Sequence, residues 1–103
     1  YFGVQEGRYD KDELSVPSDF RFMNRFTLFN DAELVALICP RAHQIQAGSK
    51  DNASHREMGK SIVPRSAAFF EKLNLKDRFQ HVVFEGGHEF NDAAAWAFVE
   101  KHL

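Results

Sequence analysis

A short apolar run that ends in two glycines and a histidine constrains this sequence more than any other stretch. The run His81-Val82-Val83-Phe84-Glu85 is rich in β-branched and aromatic residues and predicts a buried strand. Gly86-Gly87 then predicts a tight turn, His88 lies in that turn, and Asn91 or Asp92 opens a helix. Ligands of open α/β sheets bind beyond the carboxyl ends of the strands, so His88 is a candidate catalytic residue. A lone histidine at a strand end is nevertheless more often a surface residue or a hydrogen-bonded core residue.

A second strand-to-turn unit lies upstream and ends in a carboxylate. Residues 42–47 predict a strand, Gly48 supplies the sharp turn, and Asp51 follows. The segment 52–60 reads as a polar loop, and a helix is expected from a cap at Ser61. One helical crossover between two strand ends predicts neighbouring parallel strands, and therefore an α/β fold.

The flanking segments complete the predicted organisation. Residues 1–30 show no sustained periodicity and read as an irregular, Phe-rich arm that covers a face of the sheet, or alternatively lines a substrate site or an interface. Asp31 caps a short helix that Pro40 ends. In the last helix, the spacing of Trp96, Val99 and Leu103 predicts that these side chains pack on the sheet. In the middle helix, the spacing predicts one shared face for Ile62, Phe69, Phe70 and Leu73.

The order of these motifs resembles the last part of an α/β-hydrolase of the dienelactone-hydrolase-like or acetyl-xylan-esterase-like kind. Cys39-Pro40-Arg41 is similar to the Pro-Arg pair that enters the acid-bearing strand of such enzymes. Gly48-Ser49-Lys50-Asp51 resembles their acid turn, and Gly86-Gly87-His88 their histidine turn. The resemblance covers 31–103 and implies that Asp51 and His88 are the acid and the histidine of a Ser–His–Asp triad.

The nucleophile of such a triad is missing from the sequence. No G-x-S-x-G motif and no glycine-rich oxyanion loop occurs in the 103 residues. We therefore expect residues 31–103 to be part of one larger domain, completed by an N-terminal half or a partner chain that carries the serine, or by a second copy of the chain. The resemblance implies a small carboxylic ester, such as an acetylated sugar, as substrate. Alone, the chain would be inactive; the alternative is a non-catalytic α/β module for assembly or binding.

Composition excludes several other functions. A net charge of −2 gives no electrostatic reason to bind nucleic acid or an anionic membrane, and no apolar run is long enough to predict a membrane span. The single Cys39 excludes an internal disulfide and slightly favours the cytoplasm, although secretion is not excluded. None of the five histidines shows zincin spacing, so neither a metal nor another cofactor is expected.

Overall fold

Two parallel strands lie side by side at the centre of the described part of the chain. The computed structural model describes residues 31–103, in which β1 spans His43–Gly48 and β2 spans Phe79–Phe84. The strands pair in parallel, with His43 opposite Phe79 at one end and Gly48 opposite Phe84 at the other. The predicted α/β arrangement is confirmed at this level: the carboxyl ends of both strands reach the same edge of the sheet.

Three α-helices surround this sheet in residues 31–103: α1 over Asp31–Ala36, α2 over Ala53–Lys72 and α3 over Asp92–His102. A 3₁₀ turn, Lys76–Arg78, leads into β2. Within the described range, no helix is long and apolar enough to cross a membrane.

One face of the sheet packs against α2 through an apolar core. Ile45 of β1 is buried together with Ala32 of α1 and Met58 and Ile62 of α2. Phe79 of β2 packs against this cluster, and its ring centroid lies 5.4 Å from that of the fully buried Phe70; both strands are thereby fastened to α2. Burying side chains of this size is the main source of stability in a small α/β unit.

The opposite face of β1 is polar and contacts the start of α3 through amide groups. The Gln44 side chain donates to the side-chain oxygen of Gln80 at 2.7 Å and to the carbonyl of Ala94 at 3.1 Å. Gln46 donates to the carbonyl of Asn91 at 3.0 Å and accepts from the backbone N–H of Asn91 at 2.9 Å. These hydrogen bonds fix the beginning of α3 against β1.

The prediction for the last helix is wrong in its packing. The side chain of Trp96 is 67% exposed and that of Leu103 is 99% exposed, whereas they were expected to cover the sheet. On the face of β1 nearest α3, Gln44 and Gln46 bind the start of the helix by hydrogen bonds, and Trp96 and Leu103 stay exposed. Likewise Leu73 is exposed, beyond the last turn of α2.

The predicted start of the middle helix is also wrong. Helix α2 begins at Ala53, because the Asn52 side chain accepts a hydrogen bond from the backbone N–H of His55 and caps the first turn. The segment 53–60 is thus helical, and Ser61 and Pro64 lie within the helix. The helix ends before Asn74, whose positive φ of 57° is typical of the residue that follows a helix C-terminus. The irregular arm of residues 1–30 lies outside the described residues.

Candidate active site

The two turns predicted to carry the acid and the histidine lie against each other at the carboxyl edge of the sheet. The backbone N–H of Ser49 donates to the carbonyl of Phe84 at 2.9 Å, and that of Lys50 donates to the carbonyl of Gly86 at 2.8 Å. The Lys50 ammonium also pairs with the Glu85 carboxylate at 2.6 Å, although both side chains are exposed. Backbone contacts therefore hold the acid turn onto the end of β2.

Gly48 allows this close approach. A Cβ atom at Gly48 would overlap the carbonyl oxygens of Gly86 and Gly87, which are backbone atoms that no side-chain rotation can remove. The absence of a side chain at this one position therefore lets the acid turn reach the histidine turn.

Asp51 and His88 are joined directly. One carboxylate oxygen of Asp51, Oδ2, lies 3.0 Å from Nδ1 of His88, across 37 residues of sequence. The Asp51 side chain is only 13% exposed, whereas that of His88 is 49% exposed. The carboxylate is therefore held inside the edge of the sheet, and the imidazole lies between it and solvent. Their proximity agrees with the sequence prediction, while their catalytic roles stay a prediction.

The Asp51 carboxylate has two further partners. The backbone N–H of Asn52 donates to Oδ1 at 2.7 Å, and Nδ1 of His55 lies 3.1 Å from the same oxygen. Burial acts to raise the pKa of Asp51, but the hydrogen bonds from His88, Asn52 and His55 together outweigh it and lower the pKa to about 2. Asp51 is thus a carboxylate at neutral pH and can orient an imidazole.

His55 is the site residue that the sequence interpretation missed. It lies in the first turn of α2, four residues after Asp51, and its ring centroid is 4.7 Å from that of His88. Because residues 52–60 were expected to form a loop, the sequence predicted no position for His55. Asn52 was the available signal, because a helix capped there returns the side chain of His55 toward Asp51.

An open cleft lies beside the His88 turn. Its volume is about 260 Å³, and its lining consists of Gln46, Gly48, Asp51, Gly87, His88, Glu89 and Phe90. The half-exposed His88 and the exposed Phe90 ring, which is 69% exposed, give this cleft one proton-transfer group and one apolar surface. A small substrate group could occupy it next to the imidazole.

Two cations at opposite ends of β1 have structural partners. Arg41 Nε donates to the carbonyl of Ile38 at 3.3 Å, just before β1, and Lys50 pairs with Glu85. Both side chains thus make contacts within the fold. A potential metal-binding group is nevertheless present in residues 31–103: Asp51, His55 and His88 each offer one ligand atom, all within 4.8 Å of one another.

Comparison of the chain with protein-family models, with curated proteins and with solved structures finds no match. Any function must therefore be argued from the residues and the geometry of this site.

Proposed function

We propose that this chain supplies the acid and the histidine of a serine ester hydrolase whose serine lies outside this sequence, as part of an α/β-hydrolase domain. The observation that carries the proposal is the 3.0 Å contact between Asp51 Oδ2 and His88 Nδ1, formed between two turns at the carboxyl edge of a parallel sheet. That edge is where α/β enzymes place their catalytic groups, and the order of acid before histidine is that of the α/β-hydrolases.

The geometry suits a general base held in one tautomer. An ionised Asp51 accepts the Nδ1 proton of His88, so that Nε2 is the nitrogen that acts on the nucleophile. Nε2 takes the serine proton as the serine oxygen bonds to the ester carbonyl carbon, and the proton then passes to the departing alkoxide. A water molecule activated in the same way releases the carboxylic acid and regenerates the serine.

The serine and the oxyanion donors must come from elsewhere. The serines in residues 31–103 lie in the acid turn (Ser49) or on α2 (Ser54, Ser61 and Ser66), and none has the G-x-S-x-G context of a nucleophile elbow. The described residues contribute two strands, and a stable sheet normally has three or more. The substrate class that fits a Ser–His–Asp site with a small open cleft is a small carboxylic ester.

The proposal is tested by ester hydrolysis in the assembly that contains this chain. Replacing His88 with alanine should lower the rate of p-nitrophenyl acetate hydrolysis by several orders of magnitude, because the base is lost. His81→Ala is the matched control, since His81 is an exposed histidine of β2 and lies before the turn. Turnover in His88→Ala equal to that in His81→Ala would remove His88 from the site.

A non-catalytic assembly module is the second candidate, and the exposed apolar surface of α3 favours it. Trp96 and Leu103 are largely exposed, and exposed large apolar side chains are common at contacts between proteins. This function predicts that Trp96→Ala weakens association with a partner chain while no ester hydrolysis depends on His88. The two candidates therefore differ in the effect of the His88 substitution.

A further inference from the structure

We propose that Asp51, His55 and His88 form a binding site for one Zn²⁺ ion, and that the bound ion and the acid–histidine pair exclude each other. The three residues belong to three separate features of the fold, namely the acid turn, the first turn of α2 and the histidine turn. Their ligand atoms nevertheless converge within 4.8 Å. Two imidazoles and one carboxylate are a ligand set that suits zinc, with the fourth position open to water.

The distances are close to those that a tetrahedral ion needs. Zinc lies about 2.0–2.1 Å from its nitrogen and oxygen ligands, which places neighbouring tetrahedral ligands about 3.3 Å apart. Oδ2 of Asp51 lies 3.0 Å from Nδ1 of His88, and the other carboxylate oxygen, Oδ1, lies 3.1 Å from Nδ1 of His55, so each imidazole is already at ligand spacing from one of the two oxygens. The widest pair must close by at most about 1.5 Å, which rotation of an imidazole about its side-chain torsions can supply.

The surroundings of the three ligands also suit an ion. The Asp51 carboxylate accepts a hydrogen bond from the backbone N–H of Asn52 at 2.7 Å, so it is already oriented. The half-exposed His88 gives the ion a route from solvent and leaves room for a bound water. On binding, the Nδ1 lone pair of each ring bonds to zinc, any proton on that nitrogen moves to Nε2 or to solvent, and the Asn52 amide nitrogen, 3.0 Å from Nδ1 of His55, turns away.

Zinc at this position prevents the general-base arrangement. The Asp51–His88 hydrogen bond is replaced by bonds from both residues to the ion, and Nε2 of His88 becomes a donor that can no longer take a proton from serine. Zinc therefore inhibits hydrolysis reversibly. This inhibitory role rests on the proposed function, whereas zinc binding itself does not.

Zinc binding is measured first, by isothermal titration of Zn²⁺ into the untagged assembly that purifies with this chain. We expect one ion per chain and an affinity reduced about a hundredfold in His55→Ala, with no change in His81→Ala. Long-range ¹H–¹⁵N spectra of the wild-type chain provide a second readout, in which Nδ1 of His55 and His88 should shift on zinc addition. Absent binding, or an unchanged affinity in His55→Ala with no shift of either ring, would overturn the site.

The inhibitory role is measured separately, in the assembly that hydrolyses p-nitrophenyl acetate. Zinc should suppress the wild-type rate and EDTA should restore it, while the inhibiting zinc concentration should rise about a hundredfold in His55→Ala. Inhibition that does not respond to His55→Ala would contradict the role. Zinc binding without any His88-dependent hydrolysis would instead contradict the proposed function and leave the metal site standing.

Discussion

The two faces of the β1–β2 sheet are built from different chemistry. On the α2 face, Ile45 lies in a buried apolar cluster, and Phe79 packs against that cluster and against the ring of Phe70 of α2. On the α3 face, Gln44 and Gln46 bind the start of α3 through side-chain amides. The first face supplies stability through buried area, and the second supplies position through hydrogen bonds of fixed length and direction.

The polar face matters for the site because of where it acts. Gln46 forms hydrogen bonds with both the N–H and the carbonyl of Asn91, only three residues after His88. The histidine turn is thereby fastened on one side by the backbone contact of Lys50 with Gly86 and on the other by Gln46. A purely apolar contact would let the histidine turn slide along the sheet, whereas these hydrogen bonds resist such a movement. The α2 face therefore supplies folding stability, and the α3 face positions the histidine turn.

The largest expected effect is on the apolar face. Phe70→Ala should lower the free energy of unfolding by about 3–5 kcal/mol, because it empties a fully buried site next to Phe79. The matched control is Trp96→Ala on α3, which removes a 67% exposed ring and should cost below about 0.5 kcal/mol. Urea unfolding measures both values. Equal losses in the two variants would break the distinction between the faces.

A smaller effect is expected on the polar face. Gln46→Ala should lower the free energy of unfolding by about 1–3 kcal/mol, because it leaves the N–H and carbonyl of Asn91 without their side-chain partner. Gln80→Ala removes one exposed amide contact and should change stability by less than about 0.5 kcal/mol. The same urea experiment applies, and a neutral Gln46→Ala would show that α3 is held by other contacts.

The smallest effect concerns pH. The pKa of Asp51 lies near 2, below its ordinary value of 3.8, so its ionisation favours the folded state above about pH 4. That stabilisation should disappear as the pH falls from about 4 toward 2, and Asp51→Asn should flatten this part of the curve. Asp77→Asn, in the exposed 3₁₀ turn, is the control. Thermal unfolding across this range provides the measurement, and an unchanged slope in Asp51→Asn would contradict the assigned interactions.

The sequence predicted the parts of the fold that short-range rules govern. β-Branched and aromatic runs marked both strands, and glycines marked both turns, so the meeting of Asp51 and His88 followed from parallel pairing. The start of α2 was missed because the residues after Asn52 are polar and lack apolar periodicity, although Asn52 itself is a strong N-cap. Without that first helical turn, the position of His55 could not be predicted.

The packing of α3 could not be predicted for a different reason. Apolar spacing indicates which residues share a helix face, but it does not indicate what lies opposite. Trp96 and Leu103 share the spacing of a buried face, yet β1 binds α3 through glutamine side chains and both residues stay exposed. Which surface a helix packs on depends on tertiary contacts. The spacing of apolar residues within one helix carries no information about those contacts.

The central claim is that Asp51 and His88 activate a serine supplied from outside this sequence. Its most direct test is intact-mass analysis after fluorophosphonate treatment of the assembly that purifies with this chain, followed by denaturation to separate the polypeptides. We predict one adduct on a serine outside this sequence, lost in His88→Ala and retained in His81→Ala. No adduct, or an adduct that forms equally well without His88, would contradict the claim.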